Sequence, residues 1–253
     1  LVTDNPYRGF ALVSQAFYPE PAPQPGIHSA ASVSEKASIG AGTQICAGAV
    51  VADQVEIGDN CIIGPNAVID HDVQIGDGSR IGAGAYLGYC HVGKLANIHP
   101  GVRIGTRGFG FAIDKSGPVD VPQLGRVIIG NGVEIGANST IDRGMGPDTQ
   151  VGDGTKIDNM VHIGHNVRIG KGCVLVAMTG IAGSTILEDY VVCAAQAGIA
   201  GHVHVGTGAQ IAAKSGVLHD VPAGDKVGGV PAVPLTQWLR QTVWLNKKMK
   251  EKS

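Results

Sequence analysis

The chain has 253 residues, of which 39 are glycine and only 4% are aromatic, and its formal net charge is −2. This near neutrality excludes binding of nucleic acid by bulk electrostatic attraction. Abundant glycine without a collagen period indicates many tight turns. Five cysteines without a CxxC pair indicate reduced thiols in a cytoplasmic protein. We see no signal peptide and no apolar run long enough to span a membrane.

The N-terminal segment, residues 1–27, is not repetitive and is rich in proline between Pro19 and Pro25. We predict that it is a linker that leads into the first incomplete coil of a repeat domain at His28. Because the sequence starts at Leu1 and not at a methionine, we expect it to be a piece of a longer protein.

From Val33 onward an aliphatic residue recurs every six positions. The frame slips by one residue at Val92, is interrupted over residues 105–126, and shifts again at an insertion over residues 145–148. Between Val33 and the end of the repeat only Cys193 is not aliphatic, and a buried thiol behaves as a small hydrophobe. A helix would show a period near 3.6 and a lone strand a period of two, so this pattern indicates neither alone.

A period of six predicts one short strand and one turn per repeat, and three repeats close a triangular coil of about eighteen residues. Stacked coils rise by roughly 4.8 Å each, so about ten coils form a prism on the order of 50 Å long. We therefore predict an all-β fold, a parallel β-helix of hexapeptide repeats over residues 28–230. A rigid solenoid of this kind is a scaffold, and function must come from the residues that decorate or interrupt it.

The interruption at residues 105–126 begins with three glycines, Gly105, Gly108 and Gly110. Their spacing is that of a loose phosphate-binding loop, but no βαβ unit follows to supply a helix N-terminus. We predict a loop that projects from one rung and covers a substrate or a neighbouring subunit.

The C-terminal segment, residues 231–253, follows the last repeat and contains a predicted short α-helix at about 235–252. Apolar side chains fall near one side of this helix, and its end is basic. Two interpretations remain open, a cap that closes the end of the solenoid and a docking site for an acidic partner.

Four of the nine histidines cluster in the sequence, at positions 162, 165, 202 and 204. In an unbroken eighteen-residue frame, His165, Gly183 and Gly201 share one column on adjacent rungs, and His202 lies beside Gly201. A histidine with a pKa near neutrality accepts a proton from an attacking amine or hydroxyl group. A glycine one rung away offers its backbone N–H to an oxyanion. This column predicts acyl transfer, and surface stacking without chemistry is the alternative.

Metal binding is the other interpretation of the histidines, since His162 and His165 form an HxxH pair. A catalytic zinc site needs three good ligands and an open position. The sequence offers no clear third ligand, so we predict no metal site, and a β-helical zinc enzyme such as a carbonic anhydrase stays as an alternative.

Several segments in a fixed order resemble the UDP-3-O-acylglucosamine N-acyltransferases of lipid A synthesis. The resemblance covers nearly the whole chain and is carried by Asp4-Asn-Pro-Tyr7, Gly108-Phe-Gly-Phe111, Pro122-Gln-Leu-Gly-Arg-Val-Ile-Ile-Gly130, Val133-Glu-Ile-Gly-Ala137, Thr140-Ile-Asp-Arg-Gly144, Ile157-Asp-Asn159 and Ile163-Gly-His-Asn-Val167. It implies a left-handed β-helix and transfer of a 3-hydroxyacyl chain from acyl carrier protein to the 2-amino group of UDP-3-O-acylglucosamine. The acyl-phosphopantetheine of the carrier protein is then the donor substrate, and no further cofactor is expected.

The resemblance also assigns residue roles. His165 matches the general base, Gly183 the oxyanion donor and His202 a second histidine that positions the donor and the reacting centre. Asn159 and Asn166 match residues that border the substrate, whereas His162 receives no role.

The resemblance implies a cytoplasmic homotrimer with active sites between subunits, in which the basic C-terminal helix meets acyl carrier protein. Family members carry a uridine-binding domain ahead of the segment that matches Asp4–Tyr7. We therefore expect residues 1–27 to be the linker from that missing domain, and expect weak uridine binding without it. The related UDP-N-acetylglucosamine O-acyltransferases, which have a larger helical C-terminal domain, and a scaffold without catalysis stay as further alternatives.

Overall fold

The computed structural model describes residues 3–229 and 235–251, without the side chains of Leu235 and Trp238. The predicted boundary at residues 230–231 lies outside the described residues. In the described part, three parallel sheets form the faces of a triangular solenoid of about eleven turns. This architecture confirms the predicted parallel β-helix.

The sheets are named here faces 1, 2 and 3, in the order in which the chain visits them. Face 1 contains Gly26–Ile27, Gln44–Ile45, Ile62–Ile63, Arg80–Ile81, Asn97–Ile98, Glu134–Ile135, Lys156–Ile157, Val174–Leu175, Val192–Cys193, Gln210–Ile211 and Lys226–Val227. Face 2 contains Ser32–Val33, Val50–Val51, Val68–Ile69, Tyr86–Leu87, Arg103–Thr106, Thr140–Asp142, His162–Ile163, Gly180–Ile181, Gly198–Ile199 and Gly216–Val217. Face 3 contains Ser38–Ile39, Glu56–Ile57, Gln74–Ile75, Cys90–Val92, Val127–Ile129, Thr149–Val151, Arg168–Ile169, Ile186–Leu187 and His204–Val205.

The core is the stack of aliphatic residues that the six-residue frame predicts. Ile63, Ile69 and Ile163 have 0% of their surface exposed, and the same position is buried on nearly every rung. Cys193 fills its place in this stack as a free, buried thiol. Burial of these aliphatic columns is the main source of stability in a solenoid. Each rung contacts only its neighbours, so this stability adds up rung by rung.

The strand register follows the irregularities of the sequence. Ile81 pairs with Ile98, one residue short of a full coil, which confirms the predicted slip. From the rung of Ile163 onward, Ile181 and Ile199 stack at the regular spacing. The ruler used for the histidine column is therefore valid in this part of the chain.

The interruption over residues 105–126 contains an antiparallel hairpin formed by Phe111–Asp114 and Gly117–Asp120. A loop was predicted here, and the two paired strands are an addition that the hexad frame could not indicate.

The N-terminal segment is more ordered than a plain linker. Helix α1, Pro6–Phe17, begins after Asn5, whose side chain accepts a hydrogen bond from the Arg8 N–H, with proline at the first helical position. The first solenoid strand is Gly26–Ile27, two residues before the predicted start.

Helix α2, Leu235–Lys250, confirms the predicted C-terminal helix. Leu239, Val243, Trp244 and Met249 on α2 are exposed, so these side chains do not cover the end of the solenoid. Neither helix among the described residues combines the length and the apolar character needed to cross a bilayer.

Candidate active site

The predicted column of His165, Gly183 and Gly201 is present at the corner where the chain turns from face 2 to face 3. The Ser184 N–H donates to the His165 carbonyl at 2.9 Å, and the His202 N–H donates to the Gly183 carbonyl at 3.2 Å. These bonds join successive turns of the solenoid at the corner itself. The stacking on which the chemical argument depends is therefore confirmed, and we call these three residues the open column.

The His165 ring is held by its neighbour in sequence, Asn166. The Asn166 Nδ2 donates to the Pro147 carbonyl at 2.6 Å, and its Oδ1 accepts from the Met145 N–H at 3.1 Å. This network fixes the orientation of the amide, so the Oδ1 that lies 2.9 Å from His165 Nδ1 is an acceptor there too. Nδ1 consequently carries the hydrogen, and the lone pair of Nε2 is available as a base.

Gly183 packs directly against the reactive edge of this ring. A Cβ at position 183 would lie 2.8 Å from both Cε1 and Nε2 of His165, so any side chain there would displace the imidazole. The residue is a glycine because the imidazole of His165 occupies the space of its side chain.

The Gly183 N–H has no acceptor among residues 3–229 and 235–251. At the corner between faces 3 and 1, the backbone N–H at the position equivalent to Gly183 often donates to the side chain of an asparagine or aspartate on the following rung. Asp189 Oδ1 accepts from the Lys171 N–H at 2.9 Å, and Asn131 Oδ1 accepts from the Lys94 N–H at 2.8 Å. Gly201 occupies that position above Gly183 and has no side chain, so the N–H stays available for a ligand.

A groove of about 580 Å³ runs along face 2 beside the open column. Its floor contains bare backbone at Gly180 and Gly198. The groove is lined by Phe109, Asp142, His162, Gly164, His165, Gly180, Ile181, Ala182, Gly183, Gly198, Ile199, Ala200, Val217 and Leu218. Such a surface fits an extended apolar chain with its reactive end at His165.

The segment after Gly105 folds back over the open column. A Cβ at Gly108 would lie 2.7 Å from His165 Cβ and 2.8 Å from Gln123 Oε1. The loop backbone therefore fits between the histidine and the buried Gln123, where only glycine leaves enough room. Phe109, the next residue, is 84% exposed and lines the groove. That this loop covers a substrate or a neighbouring subunit stays a prediction.

Asp142 is a residue of this site that sequence reasoning did not single out. It is 7% exposed and lines the groove together with His165. Its Oδ1 accepts from the Thr106 hydroxyl at 3.1 Å, and its Oδ2 lies 3.9 Å from His162 Nε2. The Thr-Ile-Asp-Arg-Gly motif was the only signal, and it gave no indication that the carboxylate shares a groove with His165.

The other predicted site residues take different positions relative to the His165 ring. Asn159 lies at the opposite edge of face 2, where its Oδ1 accepts from the Ala137 N–H at 2.7 Å. His202 is exposed, and its backbone adopts a left-handed φ of 63°. Asn166 was predicted to border the substrate, and in the structure it contacts the Nδ1 side of the His165 ring. The substrate-binding and positioning roles of these residues stay predictions.

The two histidines of the HxxH pair point to different partners. His162 Nδ1 lies 2.8 Å from the Thr140 hydroxyl, whereas His165 Nδ1 lies beside Asn166. Within the part of the chain that the structure describes, no three His, Cys, Asp or Glu side chains gather in a way that could hold a metal ion.

Comparison with known families gives matches to repeat models along the solenoid. The family described as bacterial transferase hexapeptide (six repeats) matches residues 36–71, 55–89 and 148–183, and the hexapeptide repeat of succinyl-transferase matches residues 126–159. Among solved structures, the UDP-N-acetylglucosamine acyltransferase from Campylobacter jejuni superposes with a TM-score of 0.60 at 24% identity, over 78% of this chain and 68% of that one. This likeness supports the left-handed β-helical fold.

Two curated relatives give a closer comparison. The UDP-3-O-acylglucosamine N-acyltransferase of Methylorubrum populi is 53% identical over 161 residues, which are 64% of this chain but only 46% of the relative, so the match spans about half of that protein. The UDP-3-O-acylglucosamine N-acyltransferase 2 of Legionella pneumophila strain Lens is 56% identical over 252 residues, the full chain and 74% of the relative. The chain therefore belongs to the UDP-3-O-acylglucosamine N-acyltransferase family.

Proposed function

We propose that this protein transfers a 3-hydroxyacyl chain from acyl carrier protein to the 2-amino group of UDP-3-O-acylglucosamine, a step of lipid A synthesis. The single observation that carries the proposal is the open column, in which a base with a free Nε2 lies against a glycine with an unpaired N–H. The substrate is inferred from the name of the relatives, and the geometry of the open column is suited to acyl transfer onto such a substrate.

In this mechanism His165 Nε2 accepts a proton from the amine as its nitrogen attacks the thioester carbonyl carbon. The oxygen of that carbonyl becomes an oxyanion, which the Gly183 N–H stabilises by a hydrogen bond. When the C–S bond breaks, His165 returns its proton to the leaving thiolate. The Asn166 side chain keeps the correct tautomer throughout, because its Oδ1 accepts from Nδ1–H in both states of the ring.

The binding roles belong to the same proposal. His202 positions the donor beside the column, and Asn159 binds substrate across a subunit boundary of a homotrimer. The donor arrives as the acyl-phosphopantetheine of acyl carrier protein in the cytoplasm. The basic end of α2, with Lys247, Lys248 and Lys250 in its last turn, meets that acidic carrier.

The test is an assay of the full-length protein with 3-hydroxyacyl carrier protein and UDP-3-O-acylglucosamine, in which the diacylated sugar is measured by mass spectrometry. We expect product with the unchanged protein and a loss of about 10²- to 10⁴-fold in kcat for His165→Ala, the range of a general base. Circular dichroism and gel filtration of the variant check that the solenoid is intact. Absence of product with the unchanged protein, or full turnover in the variant, contradicts the proposed function.

A further inference from the structure

Asp142 is the one aspartate or glutamate among the described residues that is buried, with 7% of the residue exposed. Removing a carboxylate from water is costly unless a cation or hydrogen-bond donors compensate. The residue is not needed to hold the column together, since the turn-to-turn hydrogen bonds there are made by the backbone. A largely buried carboxylate that lines a groove is therefore suited to bind a cation there.

The described residues satisfy only one of the two carboxylate oxygens of Asp142. The Thr106 hydroxyl satisfies Oδ1, but no donor within the described residues is within hydrogen-bond distance of Oδ2. Its nearest cationic group is the His162 ring, 3.9 Å away, whose other nitrogen contacts Thr140. Burial raises the pKa of the Asp142 carboxyl, while the positive charge that His162 can carry works against that rise.

The position of Asp142 relates it to the reacting atoms. The strand Thr140–Asp142 pairs with His162–Ile163, so Asp142 lies one rung from Gly164, the residue before His165. Asp142, His165 and Gly183 line the same groove. A group that occupies the groove in front of the base therefore comes close to the open oxygen of this carboxylate.

We propose that the Asp142 carboxylate binds the amino group of the acceptor as an ammonium ion and so selects an amine over a hydroxyl acceptor. This inference rests on the proposed function. The amine is the cationic group of the two substrates, since the thioester and the acyl chains are neutral and the diphosphate is anionic. Among these groups only the amine brings a positive charge to the carboxylate oxygen that no donor of the described residues reaches.

The proton balance of the reaction is complete with this addition. The ammonium ion held by Asp142 loses one proton to solvent, and the free amine then attacks the thioester carbon while His165 Nε2 accepts a second proton from the nitrogen. The C–N bond forms, the C–S bond breaks, and the thiolate takes the proton from His165. The third hydrogen stays on the amide nitrogen, and Asp142 stays a carboxylate.

The test compares two acceptors, UDP-3-O-acylglucosamine and UDP-3-O-acylglucose, in which a hydroxyl replaces the amine. For Asp142→Asn we expect kcat/KM for the amine to fall by roughly 30- to 100-fold, mostly through KM, the scale of a hydrogen bond to a charged group. The hydroxyl acceptor should be little affected, so the preference for the amine collapses. Asparagine keeps the size of the side chain and an Oδ1 that can accept from Thr106.

His162→Gln is the matched control, since it removes the neighbouring imidazole and leaves the carboxylate. We expect this variant to keep the preference for the amine. An equal loss on both acceptors in Asp142→Asn, or an unchanged preference, would overturn the inference. A wild-type protein that acylates neither acceptor would instead contradict the proposed function.

A second test, the pH dependence of the acceptor KM, uses the unchanged protein and needs no variant. Because the carboxyl has a raised pKa and must be ionised to bind the ammonium ion, the acceptor KM should rise as the pH falls through that raised pKa. The other titratable groups that face Asp142 are His162 and His165, so the amine and hydroxyl acceptors are compared over the same pH range. Loss of His165 as a base lowers kcat for both acceptors, whereas Asp142 affects KM for the amine only. A pH-independent KM for the amine would contradict the inference.

Discussion

The two corners of the solenoid that flank face 3 have the same backbone conformation. They differ in whether a side chain accepts the backbone N–H at the turn. At the corner between faces 3 and 1, Asp59, Asp77, Asn131, Asp153 and Asp189 each accept the N–H of the equivalent residue one rung earlier. At the corner between faces 2 and 3, the open column has histidine and glycine at the same positions. We call the first the capped corner.

The difference shows how a repeat scaffold can leave a backbone donor free beside a histidine. Capping removes a hydrogen-bond donor from the surface and ties two rungs together, which stabilises the fold. A corner without the cap is less stable, but its backbone N–H is a preorganised donor. Such a donor can bind an anion without further reorganisation. The site is thus made by omitting side chains from two rungs and placing one imidazole on the third.

Gly183→Ala should break the open column most severely. The new Cβ would lie 2.8 Å from Cε1 and Nε2 of His165, so the ring must move away from its productive position. Because a displacement of about 1 Å in a reacting group can cost on the order of 10²-fold, we expect a loss of at least that size in kcat. Steady-state kinetics measure it. Gly229→Ala, where no atom lies within 4 Å of the added carbon, is the control and should keep full activity.

Asn166→Ala should have a smaller effect. It removes the acceptor that fixes the His165 tautomer, and we expect kcat to fall about tenfold, the value of one hydrogen bond. Asn166 has a left-handed φ of 60°, so alanine also strains the turn. Asn60→Ala, at a φ of 55° in an early rung, has the same strain without the imidazole. Equal kinetics for the two variants would show that Asn166 is only a turn residue.

Asp189→Ala should have the smallest effect and act on stability alone. It removes the cap on the Lys171 N–H, which should lower the free energy of unfolding by about 1 kcal/mol. The ion pair between Lys171 and Asp189 is exposed and adds little to this value. Chemical denaturation and the acyltransfer assay together measure the outcome. A loss of activity at unchanged stability would mean that the two corners are not independent.

The repeat made most of the fold predictable from sequence. A single aliphatic frame located the rungs, the slip at Val92 and the interruptions, because each inward position sees the same environment. The same frame aligned His165 with Gly183, and the structure keeps that alignment. Helix α1 and the hairpin were not predicted, since they lie outside the repeat and have no period to follow.

The details of the site were less predictable because they depend on residues far apart in sequence. Asp142 is buried next to Thr106, across the whole interruption of the frame. The orientation of His165 depends on Pro147 and Met145, which belong to the short insertion. The six-residue repeat treats such insertions as gaps, so it cannot predict the path of their backbone.

Converting the open column into a capped one tests the central claim most directly. Asparagine at position 201 should accept the Gly183 N–H as Asn131 accepts that of Lys94, whereas Gly201→Ala adds the Cβ without an acceptor. That Cβ would meet the Gly183 carbonyl oxygen at 3.1 Å, a contact that a shift of a few tenths of an ångström relieves. We predict that Gly201→Asn folds at least as stably as Gly201→Ala and loses about 10²- to 10³-fold in kcat relative to it. Equal activity of the two variants would contradict the claim that the free N–H of Gly183 drives acyl transfer.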